Sequence, residues 1–248
     1  MYTDNYKAIE LSDDGSSETT YTIAVEATIE LFVNRLPVAS ILATPEMIEE
    51  LALGYVICEG IVKEPGEIKG YTIDGKTVHI EITPGDDFEI WRELRSSGCV
   101  GVKWDENETI SVNSETVFSP SVIRKSLVYL ETDIYKNTRG THAACLVDTE
   151  GNCVVKAVDI GRHNAFDKVV GKAYLEDIDV SKHFILSSGR QSAGMVLKAA
   201  RAGIPLVATK TAPFNTGIEA AIRTGVCLVG FVSDEKLSVF ANKKRLCP

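Results

Sequence analysis

Along residues 20–34, TYTIAVEATIELFVN, apolar and polar side chains partly alternate, the period-2 pattern of a half-buried strand or hairpin. The acidic, polar residues before it predict a frayed start. The period then changes. Ile48, Leu51, Ala52 and Tyr55 fall on one helical face, and Glu46, Glu49 and Glu50 complement the positive end of a helix dipole. Thr44 is placed to cap this helix, Pro45 to fill its first position and Gly60 to end it. Residues 71–82, YTIDGKTVHIEI, read as two short strands around Asp74-Gly75, a favoured two-residue hairpin turn. Between about 95 and 140 the periodicity weakens among Ser, Gly, Asn and charged clusters, leaving one short apolar helix from about Pro120 to Leu130.

From His142 onward strand-like and helix-like segments alternate. The short apolar runs Phe184–Leu186, Leu206–Ala208 and Val226–Val232, separated by helical segments, point to strands buried on both faces beneath helices. The expected fold class is α/β. It comprises a smaller N-terminal α+β domain over 1–95, a connecting segment over 96–138 that carries Cys99, and a three-layer αβα domain over 139–248.

Composition narrows the function. With 44% hydrophobic and 25% charged residues in 248, the chain is globular rather than disordered. Its net charge of −9 and pI near 5.1 argue against broad attraction to nucleic acid or an anionic membrane, so any anionic ligand must meet a local basic patch. The N-terminus lacks the basic and apolar regions of a secretory signal, and no run approaches the roughly 18 apolar residues of a membrane span; a soluble cytoplasmic protein is expected. Cys58, Cys99, Cys145, Cys153, Cys227 and Cys247 are irregularly spaced without Cys-x-x-Cys, so neither a disulfide framework nor a zinc cage is indicated.

Five segments carry candidate chemistry. In Arg95-Ser96-Ser97-Gly98-Cys99-Val100-Gly101 a glycine-flanked cysteine lies near Arg95 and Lys103, which favour a thiolate that acts as nucleophile or persulfide carrier; the alternative is a loop cysteine tucked under a turn. Thr138-Arg139-Gly140-Thr141-His142 offers a guanidinium and an imidazole to an anion, or else a satisfied histidine at a strand start. Asp159-Ile160-Gly161-Arg162-His163-Asn164-Ala165-Phe166-Asp167-Lys168 places five ionisable side chains where a strand ends and a helix begins, the position at which open α/β sheets bind ligands. Asn164 as helix cap with Asp167 three residues on would explain part of it. Ser187-Ser188-Gly189-Arg190-Gln191-Ser192 repeats that setting without the Lys-Ser/Thr ending of a Walker A loop. Thr209-Lys210-Thr211-Ala212-Pro213-Phe214-Asn215 either completes the same crevice or is an ordinary loop stiffened by Pro213.

Taken in order, VEATIELFVNRLPVASILATPEMIEELALGYVICEGIV, SSGCVG, TRGTHAACLV, VDIGRHNAFDKVVGKA, SSGRQSAGMVLKAARAGIP and GVCLVGFV resemble the sequence blocks of the FdhD family. That resemblance implies a cytidine-deaminase-like topology for the C-terminal domain and a cytoplasmic, homodimeric sulfurtransferase. In this role Cys99 takes sulfur from a cysteine desulfurase as a persulfide. It passes the sulfur to the molybdenum cofactor, bis-molybdopterin guanine dinucleotide, for a formate dehydrogenase. The cofactor enters as bound substrate, GDP is its expected mimic, and no metal site belongs to the protein. The implied cofactor contacts are Phe231, Val232, Ser233, Asp234, Glu235 and Lys236; the reading of the strand-end motifs adds Arg162, His163, Arg190 and His142. Val102 stands where the family's loop carries a second cysteine. A non-catalytic chaperone that binds the same cofactor is the alternative reading. The ligand pattern of zinc deaminases is absent from the sequence.

Overall fold

The computed structural model describes residues 2–83, 93–95 and 110–247, the three residues 93–95 by backbone alone. The chain opens with an antiparallel ribbon of β1 (Thr3–Ser12) and β2 (Gly15–Ala24), paired from Thr3↔Ala24 to Ser12↔Gly15. The expected frayed start is therefore an ordered hairpin. Its polarity reflects solvation of both faces rather than disorder, and cross-strand pairs such as Tyr6–Tyr21 hold it. The alternation over 20–34 also divides: residues 20–24 finish β2, whereas β3 (Ala27–Val33) begins a different sheet.

β4 (Leu36–Ala43) follows, then helix α1 (Ile48–Cys58), and β5 (Ile68–Asp74), β6 (Thr77–Ile82) and β7 (Glu93–Arg95) complete a five-stranded sheet of order β5-β6-β3-β4-β7. The turn between β5 and β6 is Gly75-Lys76, one residue beyond the expected pair, because Asp74 still pairs with Thr77 and the positive φ of 59° falls on Gly75. Thr44 does not cap α1. The residue before the helix is Met47, with φ 55°, and Thr44 is drawn instead into a buried contact with a distant carboxylate. Gly60, at φ 71°, follows the helix end as expected.

The remainder supplies α2 (Pro120–Lys125), α3 (Asp133–Thr138), β8 (His142–Val147), β9 (Cys153–Asp159), α4 (Arg162–Leu175), β10 (Phe184–Ser187), α5 (Ala193–Arg201), β11 (Leu206–Thr209), α6 (Asn215–Thr224), β12 (Cys227–Gly230) and β13 (Ser238–Ala241). Its six-stranded sheet has the order β13-β12-β11-β10-β8-β9, with β10, β11 and β12 parallel. Successive side chains leave a strand on opposite faces. Ile185, Val207 and Leu228 accordingly pack beneath α4, α5 and α6, while Phe184, Leu186, Leu206, Ala208, Cys227 and Val229 pack against Phe118, Ile123 and Leu130 on the other side. Both faces are covered, which is why these strands read as unbroken apolar runs. The fold is mixed α/β with helical layers about a largely buried sheet.

Helix α1 joins the two sheets by lying backbone-to-backbone on α4. A Cβ on Gly54 would sit 1.8 Å from the Asp167 carbonyl oxygen, and one on Gly171 1.9 Å from that of Glu50. Only glycine fits at this crossing. The core that results is continuous, running from β3, β4 and β6 through α1 and α4 into the six-stranded sheet.

Candidate functional site

Strand register decides which loops meet. His142 opens β8 opposite Asp159 at the end of β9, Ala144 pairs with Ser187 at the end of β10, and Ser187 lies beside Thr209 at the end of β11. Past β12, the Phe231 amide donates to the Thr211 carbonyl at 3.0 Å and the Val232 amide to that of Thr209 at 3.1 Å. The turns entering β8 and leaving β9, β10, β11 and β12 thus share one edge of the sheet.

Side chains stitch these turns together. Ser188 Oγ lies 3.1 Å from His142 Nδ1 and accepts the Ala143 amide at 3.0 Å. Gly189 packs so tightly on Arg162 that an added Cβ would approach the arginine side chain to 2.7 Å. The Thr209 hydroxyl donates to the Gly189 carbonyl at 2.8 Å and lies 2.9 Å from Thr211 Oγ1. Arg162 and His163 are half-buried, while Arg139, Arg190 and Lys210 are exposed. The nearness of these cations registers on His142. Its pKa lies below the ordinary histidine value, through burial first and then through the charges of Arg162, Lys210 and Arg190, with Asp159 acting in the opposite sense. The imidazole is consequently held towards its neutral form in a cationic surrounding.

Aromatic rings stand among the exposed cations. The Arg190 guanidinium carbon is 5.1 Å from the Phe214 ring centroid; Arg139 and Lys210 lie 5.6 and 5.8 Å from that of Tyr135. Phe231 follows β12 at φ 51° with its ring exposed. Beyond it Val232 is buried, and Ser233 closes a turn by donating its amide to the Lys236 carbonyl while its hydroxyl accepts the Lys236 amide. Asp234, Glu235 and Lys236 are exposed on that turn.

The edge is supported by a buried cluster that the sequence motifs do not reveal. Asp159 Oδ1 accepts from the Gly161 amide at 2.8 Å and from Asn164 Nδ2 at 2.9 Å, which shapes the turn that presents Arg162 and His163. Its Oδ2 accepts from Lys168 Nζ at 2.6 Å and from the amide and hydroxyl of Thr44 at 3.0 and 2.9 Å. Asn164 is not the helix cap: Gly161 holds that position, and the Asn164 side chain reaches across to the Leu42 carbonyl at 2.8 Å. Asp167 pairs with Lys198, which also meets Glu59 at 2.5 Å. The dense 159–168 motif is therefore divided, with Arg162 and His163 on the edge and Asp159, Asn164, Asp167 and Lys168 inside. Spacing signals only part of this division: Lys168 shares a helix face with Ala165 and Val169, whereas Asp167 lies on the opposite side of α4.

Cys99, together with Val102 and Lys103, lies outside the described residues. Cys58, Cys145 and Cys227 are buried, and burial pushes the Cys227 thiol up to about 12. Cys153 is half-buried, and a hydrogen bond from Cys145 lowers its pKa. Among the described residues no three His, Cys, Asp or Glu side chains are grouped to hold a metal ion.

The chain matches the FdhD/NarQ family over residues 24–247. It is 32% identical over 213 residues to the sulfur carrier protein FdhD of Methanothermobacter thermautotrophicus, covering 82% of this chain and 83% of that one. It is 33% identical over 245 residues to the protein of the same name from Xanthomonas axonopodis pv. citri, covering 90% and 85%. The crystal structure of a protein described as a formate dehydrogenase accessory protein, from Desulfotalea psychrophila, has the same fold. It superposes with a TM-score of 0.84 at 23% identity over the full length of both chains.

Proposed function

Because the chain belongs to the FdhD/NarQ family, we propose that it is a sulfur carrier serving formate dehydrogenase, and that Cys99 carries the sulfur to a molybdenum cofactor bearing guanine dinucleotide. One observation supports the binding half of this reading above the others. A chain of net charge −9 gathers Arg139, His142, Arg162, Arg190 and Lys210 on a single edge of its sheet, at loops joined to each other by hydrogen bonds and close packing. Such an edge suits a ligand carrying several phosphate oxygens. The segment Phe231 to Lys236 borders it through the bond to Thr211.

The described strand that precedes Cys99 in the chain runs alongside β4, which leads to this edge. β7 runs parallel to β4, with Arg95 beside Ile41, and the next residues of β4 lead to Leu42 and Thr44, both bonded to the β9–α4 turn. In the carrier step the Cys99 thiolate attacks the outer sulfur of a donor cysteine persulfide. The Cys99–sulfur bond forms, the donor's sulfur–sulfur bond breaks, and the donor leaves as thiolate. A single thiol is sufficient for this, so Val102 in place of a second cysteine does not block it.

Incubation with a cysteine desulfurase and free cysteine, followed by intact-protein mass spectrometry, tests the step. The wild type should gain one sulfur, and Cys99→Ala should gain none. An unmodified wild type would overturn the carrier role; if that protein still bound GDP, a cofactor-binding chaperone would be the surviving reading.

A further inference from the structure

We infer that Cys153 and Cys145 form a thiol–disulfide exchange site separate from the cationic edge: Cys153 attacks a small disulfide, and Cys145 resolves the product by closing a Cys145–Cys153 disulfide.

The register of the β8–β9 hairpin brings the two together. Cys145 stands opposite Lys156 and Val147 opposite Cys153, with Val154 as an extra residue that bulges β9 between them. Side chains two apart on a strand share a face. Cys145, Val147 and Cys153 accordingly all lie on the apolar face made with Phe118, Ile123 and Leu130. A bulge adds local twist and re-aims the side chains beside it, and here the two thiols are hydrogen-bonded to each other. They lie at the start of β9, so the length of that strand, Cys153–Asp159, separates them from the cationic edge.

The two thiols are unequal in the way this chemistry requires. β9 is the outer strand of its sheet, and Cys153 is half-buried between exposed Asn152 and Val154, so a small molecule can meet its sulfur. Cys145 is fully buried, with Cys153 as its neighbour. The hydrogen bond that Cys145 donates favours the Cys153 thiolate against its partial burial, and the Lys156 ammonium adds to that effect. The same contact is the first reason that Cys145 holds its proton, ahead of burial. Capping Cys153 covalently removes that hold. A half-exposed thiol of lowered pKa beside a second, resolving thiol is the arrangement of redox-responsive cysteines.

In the first step the Cys153 thiolate attacks a disulfide RSSR. The Cys153–SR bond forms, the reagent's sulfur–sulfur bond breaks, and one RS⁻ leaves. In the second, Cys145 attacks the Cys153 sulfur, the Cys153–SR bond breaks, and the departing second RS⁻ takes the Cys145 proton. The small disulfide is the oxidant, reduced to its two thiol halves as the protein pair is oxidised.

Tryptic cleavage after Arg139 and Lys156 leaves both cysteines in one peptide, residues 140–156, so mass spectrometry reads the outcome directly. Folded Cys99→Ala protein, treated with the disulfide of mercaptoethanol and then alkylated in denaturant, should yield that peptide unalkylated and lighter by two hydrogens than its reduced form. Buried Cys58 and Cys227 should remain free. Cys145→Ser in the same background should retain a mercaptoethanol adduct on Cys153, and Cys153→Ser should leave Cys145 unmodified. A peptide with both cysteines reduced would overturn the inference, as would an adduct that persists on Cys153 while Cys145 is present, or attack on Cys145 in Cys153→Ser. Because Cys99 is absent throughout, the result stands apart from the carrier role.

Discussion

Lys168 and Arg190 are both cations in the half of the molecule built on the six-stranded sheet, each near the end of a strand, and they have opposite fates. Lys168 is fully buried and ends on Asp159 and Thr44, where its three donated bonds tie β9, α4 and the end of β4 into one unit. Arg190 is exposed, lies over an aromatic ring, and makes no ion pair among the described residues. Lys198, with Asp167 and Glu59, belongs with the first; Arg139 and Lys210, beside Tyr135, belong with the second. The lesson is one of environment. A charge removed from water must be answered by fixed protein groups, so its position is decided by the fold, whereas a charge left in water beside a flat ring keeps its capacity for a ligand.

Breaking the buried side of this comparison should have the largest effect. Lys168→Met leaves the Asp159 carboxylate in the interior without its cation, and loss of one partner of a buried pair costs about 3–5 kcal/mol. Urea unfolding should show a large drop in midpoint; a loss of less than about 1 kcal/mol would mean that the pair is not the clamp described. On the exposed side Arg190→Ala should change stability by no more than about 0.5 kcal/mol. It should nonetheless weaken GDP binding by about tenfold or more, the worth of a charge-assisted hydrogen bond. Unfolding of Arg190→Ala would erase the distinction between the two groups.

The smallest effect concerns His142, which sits at the boundary. Its folded pKa lies below the ordinary value of 6.5, so as pH falls through that value the unfolded chain takes up a proton that the folded protein resists. Stability should fall with acidification from about pH 6.5. His142→Gln should flatten that part of the profile in pH-dependent melting, and an unchanged slope would show that His142 does not feel the surrounding cations.

Much of the C-terminal half is legible in the chain itself. The runs at 184–186, 206–208 and 226–232 mark β10, β11 and β12, because strands covered on both faces leave no polar alternation to misread. Gly189, Arg190 and Arg162 mark strand-to-helix turns by residue type alone. Local pattern and structure part company where a polar residue has two uses within reach. Thr44 and Asn164 both suit a helix cap, and both go instead to partners more than a hundred residues away. The ribbon of β1 and β2 is hidden for a related reason: with both faces in water it lacks the apolar alternation that marks a half-buried strand.

The linear sequence by itself determined the alternation of strands and helices in the C-terminal half, the family and the kinds of side chain at each turn, since these depend on periodicity and on contiguous motifs. Only the tertiary structure decided that five separate turns share one edge, that α1 and α4 meet at Gly54 and Gly171, and that Lys168 faces inward while Arg190 faces out. The physical reason is that register, close approach and desolvation are relations between residues distant in the chain, and local pattern carries no term for them.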